Sequence, residues 1–177
     1  MTSKSSNIKT AIESLSNAIA TDLDKARAKA TPATARLVEG LRCEVSGPKG
    51  ERIVTDMPPA MGGEASAPNP GWYLRGAMAS CTATVIGMRA AKLGIALDSL
   101  EVTVESEGDN RGILGMDEKI SAGYTELRMR VKIGSASASE QELRELTEWA
   151  EAHSPVGCTI DRAPPMSLAV EVVKSRR

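Results

Sequence analysis

Residues 72–93, WYLRGAMASCTATVIGMRAAKL, decide the fold. Their only charges are Arg75, Arg89 and Lys92, so the middle is apolar or small on every side. A helix of that kind is expected to be buried all round. Ser80, Thr82 and Thr84 can return their hydroxyls to the preceding turn and do not argue against burial. Gly94 is a natural residue to end the helix. Beyond it the pattern switches to period two. Residues 97–105 set Leu100, Val102 and Val104 against Glu101, Thr103 and Glu105. Residues 124–133 set Leu127, Met129, Val131 and Ile133 against Arg128, Arg130 and Lys132. Both read as half-buried strands. Ser139 with Glu142 forms a capping-box signature that opens a helix through Leu143, Leu146 and Ala150 to about His153, where Pro155 breaks it. Residues 166–173 are expected to close the chain as a strand.

Upstream, Leu37, Leu41, Cys43 and Val45 share one face of an expected strand over residues 34–46, with Arg42 and Glu44 pointing the other way. Gly47-Pro48-Lys49-Gly50 turns it into a returning strand over 51–55. Pro58, Pro59, Pro68 and Pro70, with Gly62-Gly63 among them, make residues 56–71 a loop. Ile8, Ile12, Leu15, Ile19 and Leu23 form a stripe at helical period. That predicts a helix from Ser6 to about Lys29, with Ser6 or Asn7 as N-cap and Thr31-Pro32 as its end. The order α-ββ-α-ββ-α-β is an α+β fold, an antiparallel sheet packed on helices.

At 177 residues the chain has the size of one domain. Lys plus Arg number 22 against 23 Asp plus Glu, and no basic stripe is present, which argues against nucleic acid as a partner. Aromatics are 2% of the chain with no Phe, so base-stacking platforms are excluded too. Residues 1–20 carry Lys4, Lys9 and Glu13 and hold no apolar secretory segment. The longest uncharged helical stretch, residues 76–88, is shorter than the roughly 20 residues a membrane span needs. Cys43, Cys81 and Cys158 are odd in number and widely spaced. With His153 the one histidine, they fit neither a disulfide framework nor a zinc site, and no cofactor motif is present. A reducing cytoplasm is the expected compartment.

Chemistry therefore rests on thiols. On a helical projection, Leu74, Ala77, Met78, Val85 and Met88 lie within about 60° of Cys81. Such company suits a small core hydrophobe as well as a reactive group. A free thiol near pKa 8.5 is only a few per cent ionised at neutral pH, so a reactive Cys81 needs a nearby cation. Arg75 lies about 120° around the helix, which leaves a loop, a strand or another subunit to supply one. Cys158 reads as half-buried and Cys43 as core. His153 and Ser154 are adjacent in sequence and point in different directions, which discounts a serine hydrolase.

Taken in order, Asp56-x-Pro58, Gly62-Gly63, Pro68-x-Pro70, Leu74-Arg75-Gly76-Ala77-Met78-Ala79-Ser80-Cys81-Thr82, Ala90-x-x-x-Gly94-Ile95 and His153-Ser154-Pro155-Val156 resemble the osmotically inducible protein C and organic hydroperoxide resistance (OsmC/Ohr) family. The resemblance covers roughly Ala35 to Val173. It implies residues 34–177 as an OsmC-like domain with residues 1–33 as an added N-terminal helical extension. It further implies an intertwined homodimer with sheets wrapped around buried central helices. The activity implied is reduction of a small organic hydroperoxide by a thiolate at Cys81, with an external dithiol as reductant and no cofactor. Active members hold an arginine with a glutamate beside that thiolate. The chain departs from the family in two places. Ser154 stands where the second cysteine is expected, leaving Cys158 as the candidate resolving thiol. Gly71 stands where the hydroperoxide-resistance branch has its glutamate, and near the first hairpin the chain offers Lys49 and Arg52 as cations. Those departures support an alternative, a non-catalytic dimer that binds a small apolar ligand or partner. Ile113, Leu114 and Met116, in the loop between the two later strands, suit either a lid over Cys81 or, more economically, packing against a dimer neighbour.

Overall fold

The structure, a computed structural model, describes residues 3–173. Its central helix, α2 (Pro70–Leu93), begins where the Asn69 side chain accepts the Trp72 N–H at 2.9 Å and ends at Gly94, which takes a left-handed conformation. Met78, Thr82, Ile86 and Ala90, every fourth residue, form its buried stripe, joined by Ala91. Trp72 is 51% exposed and Met88 43%, so burial all round does not hold within one chain. The physical reason is a shortage of walls. The chain packs a two-stranded ribbon, two C-terminal helices and α1 (Ser3–Thr21) on α2, and these leave Trp72, Leu74 and Met88 uncovered.

The ribbon pairs β4 (Ser99–Gly108) with β5 (Tyr124–Gly134) antiparallel, Val102 opposite Val131 and Leu100 opposite Ile133. Its inner side chains meet Ile86, Ala90, Leu143, Leu146 and Ala150 to form the core. Its outer side carries cross-strand ion pairs, Lys132 to Glu101 at 2.8 Å and Arg130 to Glu105 at 3.7 Å, with Arg128 to Glu107 beyond them. The hydrogen bond from Lys132 holds Glu101 below the ordinary carboxylate range. Such exposed pairs set register more than they add stability. Between the strands a single turn of helix, α3 (Asn110–Ile113), is capped by Asp109.

The expected capping box is present: Ser139 Oγ accepts the Glu142 N–H and the Glu142 carboxylate accepts the Ser139 N–H, opening α4 (Glu140–Ala152). Pro155 does more than break that helix. It occupies the first turn of α5 (Pro155–Asp161), with Ser154 as N-cap.

Three further expectations are corrected. Residues 34–46 form a hairpin, β1 (Thr34–Glu39) and β2 (Arg42–Ser46), because Gly40 at φ +51° turns the chain between them. With β3 (Arg52–Thr55) they make a three-stranded sheet that supplies no residue to the core cluster, and Leu37 and Ile53 stay exposed on it. The first helix starts at Ser3 and runs through Ser6 and Asn7, so neither is its N-cap. It ends at Thr21, where Asp22 caps a short 3-10 turn over Leu23–Ala26. Residues 166–173 form no strand, and Met166, Leu168, Val170 and Val172 are exposed. Their alternation is real, but a strand exists only where an edge accepts its backbone hydrogen bonds, and the described chain pairs none with them.

Candidate thiol site

Cys81 lies on α2 between the buried Thr82 and the exposed Ser80, as a half-buried free thiol. Cys158, on α5, is also free and half-buried; its thiol donates to the Ala152 carbonyl at 3.3 Å. The helices carrying the two cysteines pack together, and a hydroxyl pair joins them, with Thr82 Oγ1 donating to Ser154 Oγ at 3.4 Å. Ser154 is almost wholly buried and also accepts the Gly157 N–H as the cap of α5. A serine at this position therefore has a structural task. No triad forms around it. His153 stacks on Trp149 at 3.9 Å and holds the Trp149 carbonyl through Nδ1 at 2.6 Å. Cys43, on β2 opposite Leu37 and Thr55, is half-buried in the sheet that stands apart from the core.

Two arginines are held at stations that sequence spacing did not reveal. Arg75 donates to Ser106 Oγ at 3.0 Å and to the Tyr124 hydroxyl at 3.1 Å. That hydroxyl occupies the space a Cβ at Gly71 would need, so the missing side chain at 71 is what lets Tyr124 reach the helix. Gly71→Ala is expected to lower the melting temperature by a few degrees, as about 1–2 kcal/mol of overlap would. Tyr124→Phe in the same chain should restore most of that loss, because the obstructing atom is the end of a side chain. A double-mutant cycle by thermal denaturation reads the coupling, and additive losses would refute the contact.

Arg42 is the second. It donates to Ser66 Oγ at 2.9 Å, and Ser66 Oγ donates on to the Asp56 carboxylate at 2.8 Å. Asp56 is buried and also accepts the N–H groups of Met57, Glu64 and Ser66. These bonds, the Ser66 N–H foremost, hold its carboxyl below the ordinary value of 3.8 against the opposing effect of burial. The loop they tie includes Ala65 at φ +52°, a left-handed conformation costing an alanine about 1 kcal/mol. Lys49 sits in the β2–β3 turn and Arg52 is exposed on β3. Sequence reading put Arg42 on a strand's outward face, and nothing local marked a partner 24 residues away.

A carboxyl held below its ordinary value stabilises the fold above that value and ceases to do so as pH falls through its folded pKa. Asp56→Asn should therefore melt well below wild type near neutrality, with the two curves converging below about pH 4. A gap that stays constant down to about pH 2 would count against this account. At the surface, Arg111 holds Asp109 down to about 2, the bonded side chains clamping the turn before Ile113, Leu114 and Met116. Those three apolar residues are exposed. Among the described residues no cluster of metal-binding side chains exists, and no helix is long and apolar enough to cross a membrane.

Solved structures repeat this architecture. An OsmC-like protein from Mycoplasma pneumoniae aligns at TM-score 0.65 and 20% identity, covering 77% of this chain and 91% of that one. An organic hydroperoxide resistance protein from Legionella pneumophila aligns at TM-score 0.58 and 22% identity, covering 77% and 92%. One from Elizabethkingia anophelis aligns at 0.59 and 18%, covering 77% and 91%. No curated protein sequence matches the chain. The OsmC-like protein family matches residues 63–169, from the second glycine of the Gly62-Gly63 pair through α2, both ribbon strands, α4 and α5. The chain belongs to the OsmC-like family.

Proposed function

We propose that this chain reduces organic hydroperoxides with Cys81 as the attacking thiolate, working as a homodimer in a reducing cytoplasm. The observation that carries the reading is a free, partly accessible thiol on the central helix of an OsmC-like domain. Two of the structures it resembles are named organic hydroperoxide resistance proteins, which supports the same chemistry. The Cys81 thiolate attacks the terminal peroxide oxygen, the O–O bond breaks, and the alkoxide leaves and takes a proton as the alcohol. Cys81 is then a sulfenic acid. A second thiol, Cys158 or an external one, condenses with it to a disulfide and releases water, and an external dithiol restores both thiols by exchange.

Dimerisation is supported by the apolar surface a single chain leaves open. Trp72 and Met88 on α2, Leu37 and Ile53 on the β1–β3 sheet, and residues 166–173 all lack a covering layer. A second copy would cover α2 and offer the segment 166–173 an edge to pair with. Of the two held arginines, Arg42 sits on the sheet that makes no core contact within its own chain, which suits delivery of a cation to a partner's Cys81.

The test is titration with cumene hydroperoxide followed by mass spectrometric mapping of all three cysteines. Cys81 should oxidise first, as a trapped sulfenic acid or a disulfide to Cys158. Oxidation of Cys43 or Cys158 ahead of Cys81 would overturn the assignment. The second reading, a non-catalytic binding module, is favoured by one feature: Arg75, on the thiol's own helix, is tied to neutral hydroxyls of the ribbon. It is the outcome if no cysteine responds to the peroxide.

A further inference from the structure

Once Cys81 is a sulfenic acid, a second thiol must reach it, and the packing of α5 on α2 bears on where that thiol comes from. The two helices meet through Met78 and Thr82 on one side and Ser154, Gly157 and Ile160 on the other, which together line a cavity between them. Neither cysteine is on these meeting faces. Cys81 stands one residue before Thr82 and Cys158 one residue after Gly157, and each step turns the side chain about 100° around its helix. The join is fixed at its centre. Thr82 and Ser154 are each 1% exposed and bonded to one another, and Ser154 also accepts the Gly157 N–H as the cap of α5.

Cys158 is engaged elsewhere. Its thiol donates to the Ala152 carbonyl at the corner between α4 and α5, and no hydrogen bond joins it to Cys81. A disulfide needs the two Cβ atoms within roughly 4.5 Å of each other. Turning α5 to bring Cys158 onto Cys81 would break the bond to Ala152 and unseat the buried Ser154 hydroxyl in one movement. Cys43 is no better placed. It lies on β2, in a sheet that supplies no residue to the core cluster. Neighbouring strand residues point to opposite faces, so a second copy that aimed Arg42 at Cys81 would turn Cys43 away.

Given peroxide attack at Cys81, we infer that no thiol of this chain resolves the sulfenic acid and that a small thiol from solution does, with a mixed disulfide as the intermediate. The external sulfur attacks Cys81 Sγ, an S–S bond forms, the S–O bond breaks, and the hydroxyl leaves with a proton as water. A second thiol then attacks the external sulfur, Cys81 leaves as the thiolate, and the two external thiols depart joined as a disulfide. Each hydroperoxide reduced thus oxidises two external thiols, and a small dithiol completes both steps itself. Access sets the size of the reagent. Cys81 is half-buried on α2, and a second copy laid over that helix would narrow the approach further.

The test oxidises the full chain with one equivalent of cumene hydroperoxide in the absence of thiol, then alkylates it and maps the cysteines by mass spectrometry. Cys81 should carry one added oxygen that dimedone traps, while Cys43 and Cys158 are alkylated. Adding 2-mercaptoethanol before alkylation should place its mixed disulfide on Cys81 alone. Under excess peroxide, Cys81 sulfinic acid should accumulate at least about tenfold more without 2-mercaptoethanol than with it, because nothing in the chain protects the sulfenic acid. Thr82→Cys with Ser154→Cys, in a Cys81→Ser chain whose circular dichroism matches wild type, should close an internal disulfide in air, since those two positions do face each other. Failure of that pair to close would overturn the packing on which the inference stands. A disulfide from Cys81 to Cys158 or Cys43, within one chain or between copies, would overturn the inference and leave peroxide reduction in place. If cumene hydroperoxide leaves Cys81 a free thiol, the redox reading itself falls and takes this one with it.

Discussion

Cys81→Ser is expected to reduce hydroperoxide consumption, measured with a dithiol reductant, by roughly a thousandfold or more. The expectation follows from the chemistry. A serine hydroxyl neither ionises near neutral pH nor accepts an oxygen atom as sulfur does, so the first bond-forming step has no substitute. The fold should tolerate the change. Cys81 is half-buried, and its neighbours Ser80 and Thr82 already carry hydroxyls on the same helix. A melting temperature within about two degrees of wild type would separate lost chemistry from lost structure. Cys158→Ser should behave differently. Its thiol is donated to the Ala152 carbonyl and must leave that bond before it can meet a sulfenic acid. Loss of Cys158 should therefore slow turnover only where no small external thiol can resolve Cys81. Unchanged turnover in Cys81→Ser would remove the redox proposal outright.

Gly63→Ala is expected to be strongly destabilising, on the order of 3 kcal/mol, or a fall of about 10 °C in melting temperature. A Cβ at residue 63 would overlap the Met57 carbonyl, and the Asp56 carboxylate lies next in line. Neither can yield cheaply. The Met57 carbonyl accepts the Ala65 N–H at 3.0 Å, and Asp56 is fixed by four hydrogen bonds. The adjacent glycine supplies the control. Gly62 sits at φ +85° with only Leu41 near its missing Cβ, so it is needed for its backbone conformation and not for space. Gly62→Asn should be tolerated at a cost of about 1 kcal/mol or less, because asparagine visits the left-handed region. Gly63→Asn should not be tolerated. Equal losses at the two positions by thermal denaturation would refute this division of roles. Because the same loop carries Ser66, and Ser66 holds Arg42, its collapse should also release the arginine.

The order and type of most elements were legible because each is fixed locally. Three signals carried them: alternation in residues 97–105 and 124–133, the Ser139–Glu142 box, and Gly94 at the end of α2. Gly40 is a local feature that alternation does not register. Its left-handed turn splits one expected strand into a hairpin, and the alternation on either side reads the same whether or not the chain reverses there.

Residue order alone thus carries the α+β class, the family through the order of its motifs, and Cys81 as the thiol on the central helix. Those properties follow from residue identity, spacing and backbone preference, which act over a few residues. Which polar groups meet is a property of the folded packing. Tyr124 fills the space left at Gly71, Asp56 holds Arg42 through Ser66, and Ser154 is buried against Thr82. Each of those contacts joins residues 10 to 72 positions apart. The reason is physical: hydrogen bonds and steric exclusion depend on distance in space, and the packing of separate elements sets that distance.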